Sequence, residues 1–224
     1  MSKIWYLSPS NQKANEGIDG YGTEHEQMYL LMDAIIPHLD RAGVSFVLAD
    51  RDATLAQRVK ESNKIGAGFH FSLHSNAGGN GKAWGPVALY YSDAGKEFGE
   101  KLVNSLLALG QKNNRSYNTK QQKGLYELRK TKAPACLLEV DFHDSSTGVK
   151  FMTEHRAEIA KAIATVIIEA DGKEFVPETA GEAADKCVSW GLLEPGRWED
   201  PLTREEAAVL AVRLKELIER EFDK

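Results

Sequence analysis

Short apolar runs alternate with helix-period segments from Ile4 to Ala170, and few folds accommodate that alternation. Ile4-Trp5-Tyr6-Leu7 runs into turn chemistry at Ser8-Pro9-Ser10-Asn11. After a Gly- and Asn-rich loop, Thr23-Glu24-His25-Glu26 has the form of a capping box. Met28, Leu31, Ile35 and Leu39 follow at helical spacing, and the helix should stop near Gly43. Further strands are expected over 44–48, 69–74, 87–91 and 134–140, with helices over 53–63, 95–109 and 149–170 between and after them. The pattern predicts an α/β domain with a mostly parallel sheet and helices on both faces.

Charge divides the 224-residue chain unevenly. Residues 171–224 hold 14 acids and 8 bases, whereas the first 170 hold 19 acids and 20 bases. The step falls on the polar stretch Asp171 to Glu178, which contains Gly172 and Pro177, so a domain boundary is expected there: 1–172 and 173–224. Beyond it the pattern is wholly helical. Thr179-Ala180-Gly181-Glu182 and Thr203-Arg204-Glu205-Glu206 each resemble a capping box, and they predict a small all-helical C-terminal module. Two such helices bury too little to be stable alone. No apolar run approaches the ~18–20 residues of a membrane span. Cys136 and Cys187 make neither a disulfide framework nor a CxxC zinc motif. A net charge of -5 argues against nucleic acid as a partner. The opening residues lack a signal-peptide pattern, so the expectation is a protein made in the cytoplasm.

In open α/β sheets, reacting groups gather at the carboxyl ends of strands. Three residues meet that rule. His74 ends an expected strand, Glu139 closes the buried run Cys136-Leu137-Leu138, and Glu24 opens a helix just after the first strand. Two carboxylates and an imidazole on one rim have the composition of a hydrolytic metal site. Each has a plainer reading. Glu24 at a first helical turn suits the dipole, and a histidine at a strand end is often just a satisfied polar group. Glu139 resists the plain reading, because a carboxylate after an apolar run is costly to bury unless paired or used. His70 lies on the same strand face as His74 but about 13 Å back at ~3.3 Å per residue, and it is expected to be structural.

On these residues the first 170 positions resemble the zinc-dependent N-acetylmuramoyl-L-alanine amidases of the amidase-3 type, found in autolysins and phage endolysins. Gly22-Thr23-Glu24, Ser72-Leu73-His74-Ser75-Asn76-Ala77 and Leu125-Tyr126-Glu127-Leu128-Arg129 occur in the family's order. Pro134-Ala135-Cys136-Leu137-Leu138-Glu139-Val140-Asp141-Phe142 completes the series. The resemblance implies a zinc ion held by Glu24 and His74, with Glu139 as general base. One departure stands out. The family's first strand ends in an Asp-Pro-Gly-His turn whose His binds zinc, whereas this chain has Ser8-Pro9-Ser10-Asn11. Neutral amide oxygens bind zinc poorly. His143 is the first candidate for the missing ligand and His25 the second; His38 and His155 are expected at the surface of helices.

The implied reaction is hydrolysis of the amide between N-acetylmuramic acid and L-alanine in peptidoglycan. Asn76 is a candidate substrate contact, while Gly78, Gly79, Asn80 and Trp84 read more simply as a solvent loop. The alternative is a non-catalytic wall-binding protein with a degenerate amidase domain. The helical tail is similar to half of an S-layer-homology-type repeat, for which wall attachment and homo-oligomerisation both stay open. Trp190 and Trp198 there suit core packing better than a binding platform. Without a signal peptide, such an enzyme reaches the wall only after holin-type release or lysis.

Overall fold

The computed structural model describes residues 3–78 and 80–177. The chain divides after Phe175, and the architecture below is that of the first unit. Gly79, the expected helices beyond Thr179, and the wall-attachment or self-association roles read for them lie outside the described residues.

Six strands form one sheet: β1 (Trp5–Pro9), β2 (Phe46–Leu48), β3 (Phe69–Asn76), β4 (Val87–Tyr90), β5 (Thr119–Gln121) and β6 (Ala135–Phe142). Their spatial order is β2-β1-β3-β6-β4-β5. β4 runs antiparallel to β6, and every other neighbouring pair is parallel. The helices are α1 (Glu24–Arg41), α2 (Leu55–Lys64), α3 (Asp93–Ala108), α4 (Tyr126–Lys130), α5 (Ser146–Glu154) and α6 (Arg156–Ala170). This is the expected α/β fold.

Alternation along the central strands sorts the chain into two faces. Trp5, Leu7, Phe69, Phe71, Leu73, Cys136, Leu138 and Val140 join the apolar stripes of α1, α3, α5 and α6 in the main core. The other face carries Tyr6, Ser8 and His70, which meet α2 and α4 through polar contacts, and Ser72, whose buried hydroxyl has no partner. Both helices that open on a capping box use it fully: Thr23 with Glu26 on α1, Thr54 with Gln57 on α2. Gly43, at φ +66°, supplies the left-handed residue just past the end of α1.

The single closing helix expected over 149–170 is two helices, broken at His155. A continuous stripe of Val149, Met152, Ile159 and Ile163 hid the break, because both pieces bury their apolar sides in one core. β5 and α4 gave no sequence signal: β5 is three polar residues and α4 barely one turn. His38, expected at the surface, is buried; its Nδ1 meets Arg41 and its ring lies 5.3 Å from that of Phe175. His155 is exposed, as expected. Among the described residues no helix is long and apolar enough to cross a membrane.

Candidate active site

The parallel strands β1, β3 and β6 end on one edge of the sheet, and the candidate residues meet there. His74 and Glu139 are register partners on β3 and β6, so they sit side by side at the ~4.8 Å strand spacing. Glu24 is the first residue of α1 and is 1% exposed. Its backbone N–H donates to Asn15 O at 2.8 Å, which fastens the helix start to the loop after β1. The Glu24 carboxylate then reaches the strand ends: Oε1 accepts from His74 Nδ1 at 2.7 Å, and Oε2 accepts from Asn15 Nδ2 at 2.9 Å. The turn after β1 contributes Ser10, whose N–H donates to Leu73 O at 2.8 Å and places it beside His74.

Burial and charge act in opposition on these groups. Burial pushes the Glu24 carboxyl up, but the hydrogen bonds and charge from His74 and Asn15 more than reverse this, and its pKa falls below the ordinary value. Burial alone would discharge His74, yet the bond from Glu24 and the charge of Glu139 raise its pKa. The two make an ion pair with Nδ1 committed to Glu24. Glu139 goes the other way. Burial raises its pKa from 4.5 to about 7, against the charges of His74 and Arg115 and with help from Glu24. Its Oε2 is out of water with no hydrogen-bond partner. A carboxyl held near neutrality, with one oxygen uncommitted, is suited to taking and returning a proton at pH 7.

The other candidates are placed differently. His143 bonds through Nδ1 to Ser75 Oγ at 2.9 Å, with its ring 6.3 Å from that of Tyr21. Among the described residues His143 does not join Glu24 and His74 in a group that could hold a metal. His25 Nδ1 bonds Ser10 O at 2.9 Å. Asn76 stands one rung beyond His74, paired with Phe142 across a register shift. Its Oδ1 accepts from the N–H of Ala77, which shapes the loop after β3. Asn11, at the place of the family's histidine, bonds to Ala53 O at 3.4 Å.

Among the described residues no group of three or more His, Cys, Asp or Glu side chains is arranged to hold a metal ion. Catalytic zinc takes three protein ligands and leaves a fourth position open. Glu24 and His74 supply two, and the amide of Asn11 is not a zinc-type donor. The donor set does not fit the three-ligand zinc site that the resemblance implies.

A buried polar layer beneath the rim had no counterpart in the sequence reading. Glu127 Oε1 accepts from Ser8 Oγ at 2.6 Å and pairs with His70 Nε2 at 2.8 Å, and His70 Nδ1 bonds Ser62 Oγ at 3.0 Å. Arg58 donates to Pro9 O, Asp50 O and Tyr29 Oη, which fixes the turn after β1. The only hint in the sequence was His70 itself, a charged-type residue on the face shared with His74.

An α/β sheet whose parallel strand ends gather a near-neutral carboxyl and a His–carboxylate pair defines a candidate hydrolase. A family model described as N-acetylmuramoyl-L-alanine amidase (Amidase_3) matches residues 12–169, and the chain belongs to that family. The match starts one residue past Asn11. Solved structures agree on the fold. The N-acetylmuramoyl-L-alanine amidase AmiC2 of Nostoc punctiforme superposes with a TM-score of 0.67 at 23% identity, covering 75% of this chain and 96% of that one. The amidase Ami1 of Mycobacterium smegmatis gives 0.68 at 18% identity, covering 76% and 97%. An endolysin catalytic domain targeting Clostridia difficile gives 0.63 at 22% identity, covering 79% and 100%. A comparison with curated protein sequences finds no match.

Proposed function

We propose that this chain hydrolyses the amide joining N-acetylmuramic acid to L-alanine in peptidoglycan, with Glu139 as general base. The observation that carries the reading is the Glu139 carboxyl, held at about 7 on the rim beside His74. In its ionised form Glu139 takes a proton from water as that water attacks the amide carbonyl. His74, its Nδ1 held by Glu24 and its pKa raised, keeps Nε2 to stabilise the charge developing on the carbonyl oxygen. Glu139 then returns its proton to the leaving amine. The products are a free lactyl carboxylate and a stem peptide with a new L-Ala amino terminus. Zinc would supply Lewis-acid polarisation in such a reaction. Glu24 and His74 are the two suitable donors present for it.

The short donor set favours a second reading, a wall-binding domain without turnover. One experiment separates the two. Purified cell walls are incubated with the protein, and new amino termini are labelled and identified. L-Ala termini released by the wild type and not by Glu139→Gln support the hydrolase. Protein that co-sediments with walls but frees no amine supports the binding domain.

A further inference from the structure

Arg115 stands at the same rim and has no part in the steps above. It lies half-buried in the connection between α3 and β5. Two anchors hold its guanidinium. The plane lies over the Phe142 ring, 4.5 Å from the centroid, and Nη2 donates to Gly85 O at 3.1 Å. Asn113 Oδ1 accepts from Nε at 3.4 Å and from the Arg115 backbone N–H at 2.9 Å, bracing the stem. One anchor ends β6, which carries Glu139, and the other lies just before β4, which pairs with it. Phe142 pairs with Asn76, the next rung beyond His74 and Glu139, and Gly85 lies two residues before Val87, the β4 partner of Glu139. The guanidinium is therefore about one rung, or roughly 7 Å, past the proposed base.

The buried carboxyls of Asp141 and Glu139 act on it through space, but neither bonds to it. Among the described residues no carboxylate lies within ion-pair distance of Arg115. Its Nη1 is committed to neither anchor. Residues 112–132 hold seven Lys and Arg against one acid, Glu127, which is buried against His70. Lys112 shares the connection of Arg115 and Lys120 the edge strand, whereas Lys130 and Lys132 meet Asn63 toward the opposite ends of the strands. A stacked, braced guanidinium with donors to spare suits planar bidentate recognition of a carboxylate.

We infer that Arg115 is a specificity residue that reads a carboxylate on the stem peptide, carried by the residue after L-alanine. An extended peptide advances about 3.3–3.6 Å per residue. With the amide under attack beside Glu139, an offset of roughly 7 Å falls at that second residue. The inference rests on the peptidoglycan reading for its substrate class but not on turnover.

The test is calorimetric binding of two muramoyl dipeptides to the full chain, alike except that the second residue carries a free carboxylate or its carboxamide. Wild type should bind the acid about tenfold more tightly than the amide. Arg115→Gln should bind the two alike, and Arg115→Lys, which keeps the charge but loses the planar fork, should show a reduced preference. Should Arg115→Gln fail to fold, wild type and Arg115→Lys decide the matter. Equal wild-type affinities, or a preference untouched by either substitution, would overturn the inference. Preferential binding without release of L-Ala amines sinks the hydrolase while sparing Arg115; cleavage of both peptides with equal KM does the reverse.

Discussion

Replacing Glu139 with Gln removes a charge and almost no volume, so its effects on stability and on turnover should part. In the native protein the carboxyl sits at about 7, against 4.5 ordinarily, because burial disfavours its ionised form. Between those two values the folded chain binds more protons than the unfolded one. Stability from this group is therefore intact below pH 4.5 and lost as pH rises through 7. At about 1.4 kcal/mol per pH unit the loss reaches about 3 kcal/mol by pH 8 and is only about 1 kcal/mol at pH 5. Gln does not titrate and escapes the loss. Urea unfolding of both proteins across pH 5 to 8.5 should show Glu139→Gln gaining on wild type by about 2 kcal/mol over that range. The same variant should release no L-Ala termini from walls, and wild-type kcat/KM should climb with an apparent pKa near 7. A stability gap that is absent at pH 8, or that does not change with pH, would refute the account of a desolvated base.

Glu127→Ala should cost about 3 kcal/mol at pH 7, since it strands Ser8 and His70 in the interior. Burial pushes the Glu127 carboxyl up, but the bond from His70, the nearby imidazole charges and Ser8 bring it down to about 2. Its contribution is present above 4.5 and fades toward pH 2, so the gap between wild type and variant should narrow by about half at pH 3 in urea titrations; a gap of constant size would count against the pairing. Asn11→His should tighten zinc binding about tenfold or more in chelator competition at pH 7.5, by adding a third donor to Glu24 and His74. Unchanged affinity would show that the turn does not point at that pair. Gly95→Ala should lower stability by about 1–3 kcal/mol, because a Cβ there collides with the carbonyl oxygen of Ala135; a fully stable variant in thermal unfolding would contradict that contact.

What was legible in the sequence is what short-range chemistry decides. The box Thr23–Glu26 placed the start of α1, and with it Glu24, because both partners lie within one turn. The run ending at Glu139 betrayed itself by setting a carboxylate against apolar neighbours that had to be buried. His143 meets Ser75 through Nδ1, a contact 68 positions apart in the chain that its place after Glu139 could not announce. The Arg58, His70 and Glu127 layer was illegible because its bonds join residues 50, 57 and 119 positions apart. Arg115 was hidden likewise, since Gly85 and Phe142 meet it only once β4 and β6 pair. The break at His155 was masked by apolar spacing that continues in phase through two helices.

The two outermost strands of the sheet, β2 and β5, are each three residues long, and β5 carries an outward lysine at position 120. A border that short offers a foreign chain only a few free amide and carbonyl groups to zip onto, and the cation repels a second copy of itself. The sheet thus ends at six strands by construction, which guards a β-rich core against growing into aggregates when the protein accumulates to high concentration.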